Sequence, residues 1–219
     1  MVKVAVCLSG CGVQDGSEIH ESVLTLLSLQ RAGAVVQCCA PDAEQMHVVN
    51  HLTNEIIEGE SRNMLQEAAR IARGDIVPLT EIFAADYDAI IFPGGFGAAK
   101  NLCDIAVAGA DAVAHPQVES VVCNFLDDGK VLGFICIAPA IAASALRNHH
   151  AVIELTAGHI SRLWKSIFGL RESGTSLMTE EQLLSNWIPH DHVWGESGPV
   201  PVELGGMSLS LGNKSVWKA

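Results

Sequence analysis

Apolar runs alternate with amphipathic segments through most of the chain. The runs contain no polar alternation, a pattern that is typical of strands buried on both faces of a parallel sheet. They occupy residues 2–9, 34–39, 86–92 and 130–136. Apolar residues at helical spacing predict helices at 18–32, 61–73 and 118–128. Strands that alternate with helices predict an α/β protein with a parallel sheet and helices on both of its faces.

Two of these helices have apolar stripes that we expect to face the core. In the first helix the stripe consists of Ile19, Val23, Leu26 and Leu27. In the second helix it consists of Met64, Ala68 and Ile71.

The stretch at 130–140 predicts a strand, a sharp turn at Cys136 and then a helix. Pro139 suits the first turn of a helix, because the N–H group that proline lacks would have had no partner there. A side chain at such a turn stands at the carboxyl edge of the sheet, where a helix N-terminus stabilises a thiolate. Cys136 is therefore the candidate nucleophile. The alternative is a small apolar side chain in the core.

Two other turns are expected at the same edge of the sheet, at 9–17 and 93–101. Glu18 opens the helix after the first turn, which places it near Cys136. A carboxyl group beside a thiol can take and return protons during attack on a carbonyl group. Glu18 is also the N3 position of a possible capping box that begins at Asp15, and the two roles can coexist.

The glycine-rich turn at 93–101 could bring backbone N–H groups close to a ligand. Gly94 and Gly95, together with the N–H of Ile137, could form an oxyanion hole. The alternative is a turn that needs glycine only for its backbone angles. Lys100 and Asn101 follow in the same loop and are either ligand contacts or exposed residues at a helix start.

The nine histidines and seven cysteines do not predict a metal site. The cysteines include no CxxC pair, which argues against a zinc site and against a disulfide framework. His190 and His192 lack further ligands at a suitable spacing. His20 lies about 200° from Glu18 around the helix, so a shared triad is disfavoured. We expect structural roles for the histidines, and neither metal nor cofactor.

Composition excludes several classes of function. The formal net charge of −12 disfavours binding to nucleic acid or to an anionic membrane. No apolar run reaches the roughly 18 residues of a membrane span. The N-terminus enters a strand pattern directly, without the features of a signal or transit peptide. We therefore expect a cytoplasmic protein.

Composition changes towards the C-terminus. Every cysteine lies at or before Cys136, and all four tryptophans follow residue 160. The segment predicts a helix at 160–170 and a capping box that begins at Thr179. A hairpin of 199–204 with 207–211 is also compatible with its pattern.

Four motifs resemble the ElbB type, the enhancing-lycopene-biosynthesis or sigma cross-reacting proteins. This type is a branch of the PfpI and Parkinson-associated deglycase superfamily, which is class I glutamine amidotransferase-like. The motifs are SGCGVQDGSEIHE at 9–21, NHLT at 50–53, PGGFGAAKNL at 93–102 and GFICIAPA at 133–140. The resemblance runs to about Thr156. It implies one domain over 1–219, in which 157–219 is an atypical segment that is replaced, frame-shifted or diverged.

The resemblance also implies a fold and an activity. The fold is a flavodoxin-like three-layer sandwich with a mostly parallel central sheet and a cysteine nucleophile elbow, usually dimeric. The activity is a glyoxalase that needs neither metal nor glutathione and turns glyoxal, a small aldehyde, into glycolate. This glyoxalase activity can reflect a protein deglycase activity. The nucleophile would be Cys136 and the supporting carboxyl group Glu18.

One departure from the wider superfamily concerns the residue after the nucleophile. Many members have histidine there, whereas this chain has Ile137, as is normal for the ElbB branch. The departure weakens peptidase and amidotransferase interpretations. Two alternatives remain: a regulatory or redox-sensing protein of isoprenoid metabolism in which Cys136 is oxidised without turnover, and a catalytically inactive scaffold.

Overall fold

The computed structural model describes residues 1–150 and a short strand at 206–208. Its strands are β1 (Lys3–Cys7), β2 (Val35–Ala40), β3 (Val49–Asn50), β4 (Glu55–Ile56), β5 (Ile76–Pro78), β6 (Ala89–Phe92), β7 (Val131–Ile135) and β8 (Gly206–Ser208). Its helices are α1 (Ile19–Arg31), α2 (Met64–Ala72), α3 (Phe96–Lys100), α4 (Ile105–Ala108), α5 (Pro116–Asp127) and α6 (Pro139–Ala145).

The main sheet has the strand order β5-β2-β1-β6-β7-β8. The first five strands are parallel, and β8 runs antiparallel to β7. Phe92 and Phe134 are register partners on β6 and β7, and their rings stack with centroids 5.1 Å apart. Strands β3 and β4 form a separate antiparallel hairpin. The predicted α/β architecture, a flavodoxin-like sandwich, is confirmed.

Successive side chains of a strand point to opposite faces of the sheet, and helices cover both faces. On one face, Val6 of β1 and Leu8, which follows the strand, pack with Leu26 of α1 and Ala68 of α2. On the other face, Ala5 and Cys7 belong to a core that also contains residues of α5 and α6. That core includes Phe92, Val118, Val122, Phe125 and Ile141, all fully buried. Full burial of each such side chain contributes about 1.5–3 kcal/mol.

Helix α1 is rotated relative to the predicted stripe. Leu26 packs on the core, but Ile19, Val23 and Leu27 are 45%, 48% and 37% exposed. The buried positions of α1 are instead Ser22 and Thr25. Small side chains let the helix lie close to the sheet, and the Ser22 hydroxyl is satisfied within the helix by donating to the Glu18 carbonyl oxygen at 2.7 Å. The stripe predicted for α1 is therefore wrong at Ile19, Val23 and Leu27 and confirmed at Leu26.

Helix α2 follows its predicted stripe. Met64 and Ala68 are buried, and Ile71 packs against the core. The helix predicted at 160–170, the capping box at Thr179 and the strand at 199–204 lie outside the described residues. None of the helices in the described part of the chain is long and apolar enough to cross a membrane.

Candidate active site

Cys136 occupies the turn between β7 and α6, in the predicted order of strand, turn and helix. Its φ angle is 58°, in the left-handed region that residues other than glycine adopt at a cost of about 1–3 kcal/mol. Pro139 begins α6 directly after the turn. Strained backbone at a junction of strand and helix holds the cysteine side chain at the carboxyl edge of the sheet. Such strain is concentrated at functional sites.

Within the described part of the chain, three groups contact the Cys136 sulfur. The backbone N–H groups of Ile137 and Gly95 donate hydrogen bonds to it, and the carboxyl group of Glu21 is a further hydrogen-bond partner. Glu21 belongs to the first turn of α1. Gly95, Ile137 and Glu21 belong to the three predicted turns or to the elements that follow these turns. The site brings the three residues together.

The Glu21 carboxylate is held by the glycine-rich loop before α3. Gly94 N–H donates to Glu21 Oε2 at 2.8 Å. A Cβ atom at position 94 would lie 2.6 Å from that oxygen and 2.7 Å from Cys136 Cβ. Position 94 therefore accepts only glycine while the carboxyl group and the thiol stay in contact.

Burial of the Cys136 thiol and the negative charge of Glu21 beside it raise the pKa of Cys136 well above its ordinary value. The N–H groups of Ile137 and Gly95 lower it only in part. The sequence predicted a thiolate stabilised by the helix N-terminus, and this expectation is wrong. In the resting site the proton stays on sulfur, and the carboxylate is placed to take it.

Glu18, the predicted partner of the thiol, makes different contacts. It is the N-cap of α1, and its Oε2 accepts from the Glu21 backbone N–H at 2.7 Å. Its Oε1 lies 2.8 Å from Nδ1 of His20. The group against the sulfur is Glu21, one helical turn later. Its signal in the sequence was the spacing of three residues, which places both carboxyl groups on one side of a helix.

The predicted capping box does not form, because Asp15 is used elsewhere. Asp15 Oδ2 accepts from the backbone N–H of Val49 at 2.7 Å. This bond fixes the Gly-rich turn before α1 to the β3–β4 hairpin.

The predicted oxyanion donors separate into two roles. The N–H of Gly95 and that of Ile137 point at the sulfur, whereas the N–H of Gly94 is taken by Glu21. Gly95 has φ of 94°, and a side chain there would collide with the backbone of Gly16 and Glu18. Two of the three predicted groups are therefore directed at the Cys136 sulfur.

Lys100 and Asn101 brace the loop at 9–17. Lys100 Nζ donates to the Gln14 carbonyl oxygen at 3.0 Å and lies 5.2 Å from the centroid of the Phe96 ring. Burial lowers the pKa of Lys100. Asn101 is buried, and its Nδ2 donates to the carbonyl oxygens of Ser9 and Asp15 at 2.9 and 2.8 Å.

The remaining acceptor of Asn101 is also used. Its Oδ1 accepts from the Met46 N–H at 2.9 Å. The side chain is therefore a structural bracket, and its role as a ligand contact stays a prediction. Among the residues that the structure describes, no group of three or more His, Cys, Asp or Glu side chains could hold a metal ion.

Known proteins share both sequence and structure with this chain. The chain is 54% identical over 157 residues to the human glutamine amidotransferase-like class 1 domain-containing protein 3, mitochondrial, and 36% identical over 160 residues to the zebrafish ES1 protein, mitochondrial. A crystal structure of an isoprenoid biosynthesis protein with amidotransferase-like domain from Ehrlichia chaffeensis is 35% identical, with a TM-score of 0.66. That comparison covers 76% of this chain and 77% of the other.

The chain belongs to the family of glutamine amidotransferase-like class 1 domain proteins, which includes the ES1 proteins. No protein-family model matches it. The matches cover 72% of this chain for the human protein and 71% for the zebrafish protein. The chain spans 57% and 58% of the length of these two relatives.

The expected cytoplasmic location is wrong. The human, rat and zebrafish relatives in this family are all named as mitochondrial proteins. The expectation depended on composition and on the strand pattern at the N-terminus. Both describe the folded domain and not the compartment in which the protein resides.

Proposed function

We propose that the chain is a glyoxalase of the ElbB type, which converts glyoxal into glycolate without a metal, glutathione or another cofactor. The observation that carries this proposal is the Glu21 carboxyl group against the Cys136 thiol, with two backbone N–H groups directed at the same sulfur. A carboxylate in that place can take up the thiol proton as the sulfur attacks a small carbonyl compound.

In the first step, the Cys136 sulfur forms a bond to one aldehyde carbon of glyoxal, and the thiol proton passes to Glu21. Glu21 then delivers this proton to the aldehyde oxygen, which gives a neutral hemithioacetal. We assign the N–H groups of Gly95 and Ile137 as donors to the negative charge that develops on this oxygen.

In the second step, Glu21 removes the hydrogen of the sulfur-bonded carbon as a proton, and an enediolate forms whose negative charge lies on the oxygen of the neighbouring carbon. Glu21 returns this proton to the neighbouring carbon, and the hydroxyl proton of the sulfur-bonded carbon moves to the neighbouring oxygen, which gives the glycolate thioester of Cys136. Water hydrolyses this thioester and restores the thiol. One aldehyde carbon is oxidised while the other is reduced, so glyoxal and one water give one glycolate without an external oxidant or reductant.

The same addition chemistry would act on early adducts of glyoxal with protein side chains, which is how a deglycase activity would arise at this site. Because three relatives are named as mitochondrial proteins, we place the activity in mitochondria.

The alternative is a regulatory protein of isoprenoid metabolism in which Cys136 is oxidised and not turned over. The Ehrlichia relative, named as an isoprenoid biosynthesis protein, favours it. The Glu21 carboxyl group beside the Cys136 thiol favours the enzyme, because attack on a carbonyl group needs a proton acceptor at the sulfur.

Glycolate formation from glyoxal by the purified chain tests the proposal. We expect turnover by the wild type, loss of turnover in Cys136→Ser, and retained turnover in the matched control Cys123→Ser, a half-buried thiol on α5. Retained activity in Cys136→Ser removes the proposal. No turnover by the wild type, together with rapid gain of oxygen mass at Cys136 in dilute peroxide, supports the regulatory alternative.

A further inference from the structure

Glu18 lies at a helix position that glutamate seldom takes. N-cap positions favour Ser, Thr, Asp, Asn and Gly, whose short side chains reach the free amides of the first turn. Glu18 has the extended backbone of an N-cap, with φ of −64° and ψ of 122°. Its longer side chain folds back, so that Oε2 accepts from the Glu21 N–H at 2.7 Å.

Three hydrogen bonds join Glu18, Glu21 and Gly94 into a closed ring. Glu18 N–H donates to the Gly94 carbonyl oxygen at 2.9 Å. Gly94 N–H donates to Glu21 Oε2 at 2.8 Å. Glu21 N–H donates to the Glu18 carboxylate, which closes the ring. The backbone and the carboxyl group of Glu21 are thus both fixed with respect to the loop whose next residue, Gly95, contacts the Cys136 sulfur.

His20 holds the second oxygen of the Glu18 carboxylate. Its Nδ1 lies 2.8 Å from Glu18 Oε1, and the imidazole is 78% exposed while the Glu18 side chain is 16% exposed. Since a carboxylate only accepts hydrogen bonds, Nδ1 carries the proton of this contact. The pair leaves Glu18 with one oxygen on the helix amide and the other on the imidazole.

We propose that Glu18, supported by His20, is a positioning residue that holds Glu21 against the Cys136 thiol. The inference rests on the proposed reaction at Cys136, in which Glu18 takes no step. It assigns to Glu18 a hydrogen-bond-accepting role, whereas an acid–base role would require a group that gains and loses a proton. Glutamine can supply the first role but not the second.

The test compares Glu18→Gln, Glu18→Ala and Glu21→Gln by glyoxal turnover and by the pH dependence of Cys136 alkylation with iodoacetamide. Glu18→Gln keeps an acceptor for the Glu21 amide, so we expect turnover within about twofold of the wild type. We expect Glu18→Ala to lower kcat by about 10- to 100-fold with little change in KM. Displacement of a catalytic group slows the chemical step but leaves the contacts with the substrate in place.

Alkylation supplies a readout that a purely structural role would not change. When Glu21 moves away, the thiol loses a neighbouring negative charge, so the alkylation profile of Glu18→Ala should move to lower pH, as in Glu21→Gln. Glu18→Gln should keep the wild-type profile. For His20→Ala we expect at most about a fivefold loss, because exposed ion pairs contribute little; the exposed His150→Ala is its control.

Two results overturn the proposal. One is a Glu18→Gln variant as inactive as Glu21→Gln, which makes Glu18 an acid–base group. The other is a folded Glu18→Ala variant with wild-type turnover and alkylation. If Glu18→Ala fails to fold, Glu18→Ser decides, since serine caps the same amide and should keep the wild-type alkylation profile.

The alkylation series does not depend on turnover. If the wild type releases no glycolate but Glu18→Ala shifts the profile and Glu18→Gln does not, the positioning role stands and the proposed function fails. If glycolate forms but neither Glu18 variant changes anything, the proposed function stands and the positioning role fails.

Discussion

At the scale of single residues, the Glu21 carboxyl group acts on the protonation of Cys136. Burial and the charge of Glu21 raise the pKa of the thiol, so the sulfur rests as a thiol. A thiol is a poor nucleophile until its proton leaves. In the reaction that we propose, the adjacent carboxylate removes this proton during attack, so reactivity depends on the pair and not on a preformed thiolate.

The first prediction concerns the removal of this base. Glu21→Gln keeps the shape of the side chain but cannot take up the thiol proton. We expect glycolate formation to fall about 10²- to 10⁴-fold, the usual contribution of a general acid–base group. Glu119→Gln, an exposed position on α5, should retain the wild-type rate. An undiminished rate in Glu21→Gln would exclude Glu21 as the proton carrier.

The sequence located the thiol but not its partner. The end of an apolar strand and the proline three residues later placed Cys136 in a turn, since both signals are local. The choice between Glu18 and Glu21 depends on how α1 is rotated about its axis, which packing against the sheet decides. Both residues share one side of the helix, so spacing alone could not separate the N-cap from the residue at the sulfur.

At the scale of elements, Asn101 ties the turn before α1 to the end of α3. Its amide donates to two backbone carbonyl oxygens of this turn, those of Ser9 and Asp15, and its oxygen accepts from Met46. The turn leads into Glu18 and Glu21, so the bracket contributes to the geometry of the site from a distance.

The second prediction tests this bracket through stability. Asn101→Asp preserves size but replaces two N–H donors by a buried carboxylate oxygen that faces carbonyl oxygens. We expect a loss of at least about 2 kcal/mol in the free energy of unfolding, because buried acceptors are left without donors. Urea unfolding measures the loss, with the exposed Asn148→Asp as control. Equal stability of both variants would argue against the bracket.

Helix α1 shows where periodicity fails as a guide to structure. Apolar residues occur on more than one side of this helix, so the pattern alone could not decide which side is buried. The structure buries Ser22 and Thr25 and exposes Val23. In α2, by contrast, the apolar residues lie on one side, and the predicted stripe agrees with the structure.

At the scale of the whole molecule, the exposed side of α1 supports a proposal of a homodimer. Four large apolar residues of this one helix are exposed, namely Ile19, Val23, Leu24 and Leu27. Contiguous apolar surface of this kind is typical of interaction sites. A standard interface buries about 800 Å² on each partner, which one helix face and its neighbours can supply.

The third prediction follows from this proposal. Val23→Glu would bury an unpaired charge in the dimer, so we expect the dimer Kd to rise at least about 100-fold. Sedimentation equilibrium should show a dimer for the wild type and a monomer for Val23→Glu. Val107→Glu, at a valine on α4 that is 73% exposed, should remain dimeric. A monomeric wild type, or a Val23→Glu variant that still dimerises, contradicts the α1 interface.

The architecture of the molecule was accessible from the sequence because it repeats one signal, an apolar strand followed by a helix. The cellular location could not be predicted from the sequence, because the residues that build an α/β sandwich are the same in every cellular compartment. The domain boundary predicted near 157 stays a prediction.

The pH dependence of Cys136 alkylation tests the central claim most directly, because it reports on the thiol and its carboxylate without any assumption about substrate. The account predicts that Glu21→Gln moves the profile to lower pH, since the thiolate no longer faces a negative charge. Cys11 is an internal control, because burial and Glu67 raise its pKa; its profile should not change. A Cys136 profile that is the same in both proteins, or that moves to higher pH in Glu21→Gln, would contradict the account.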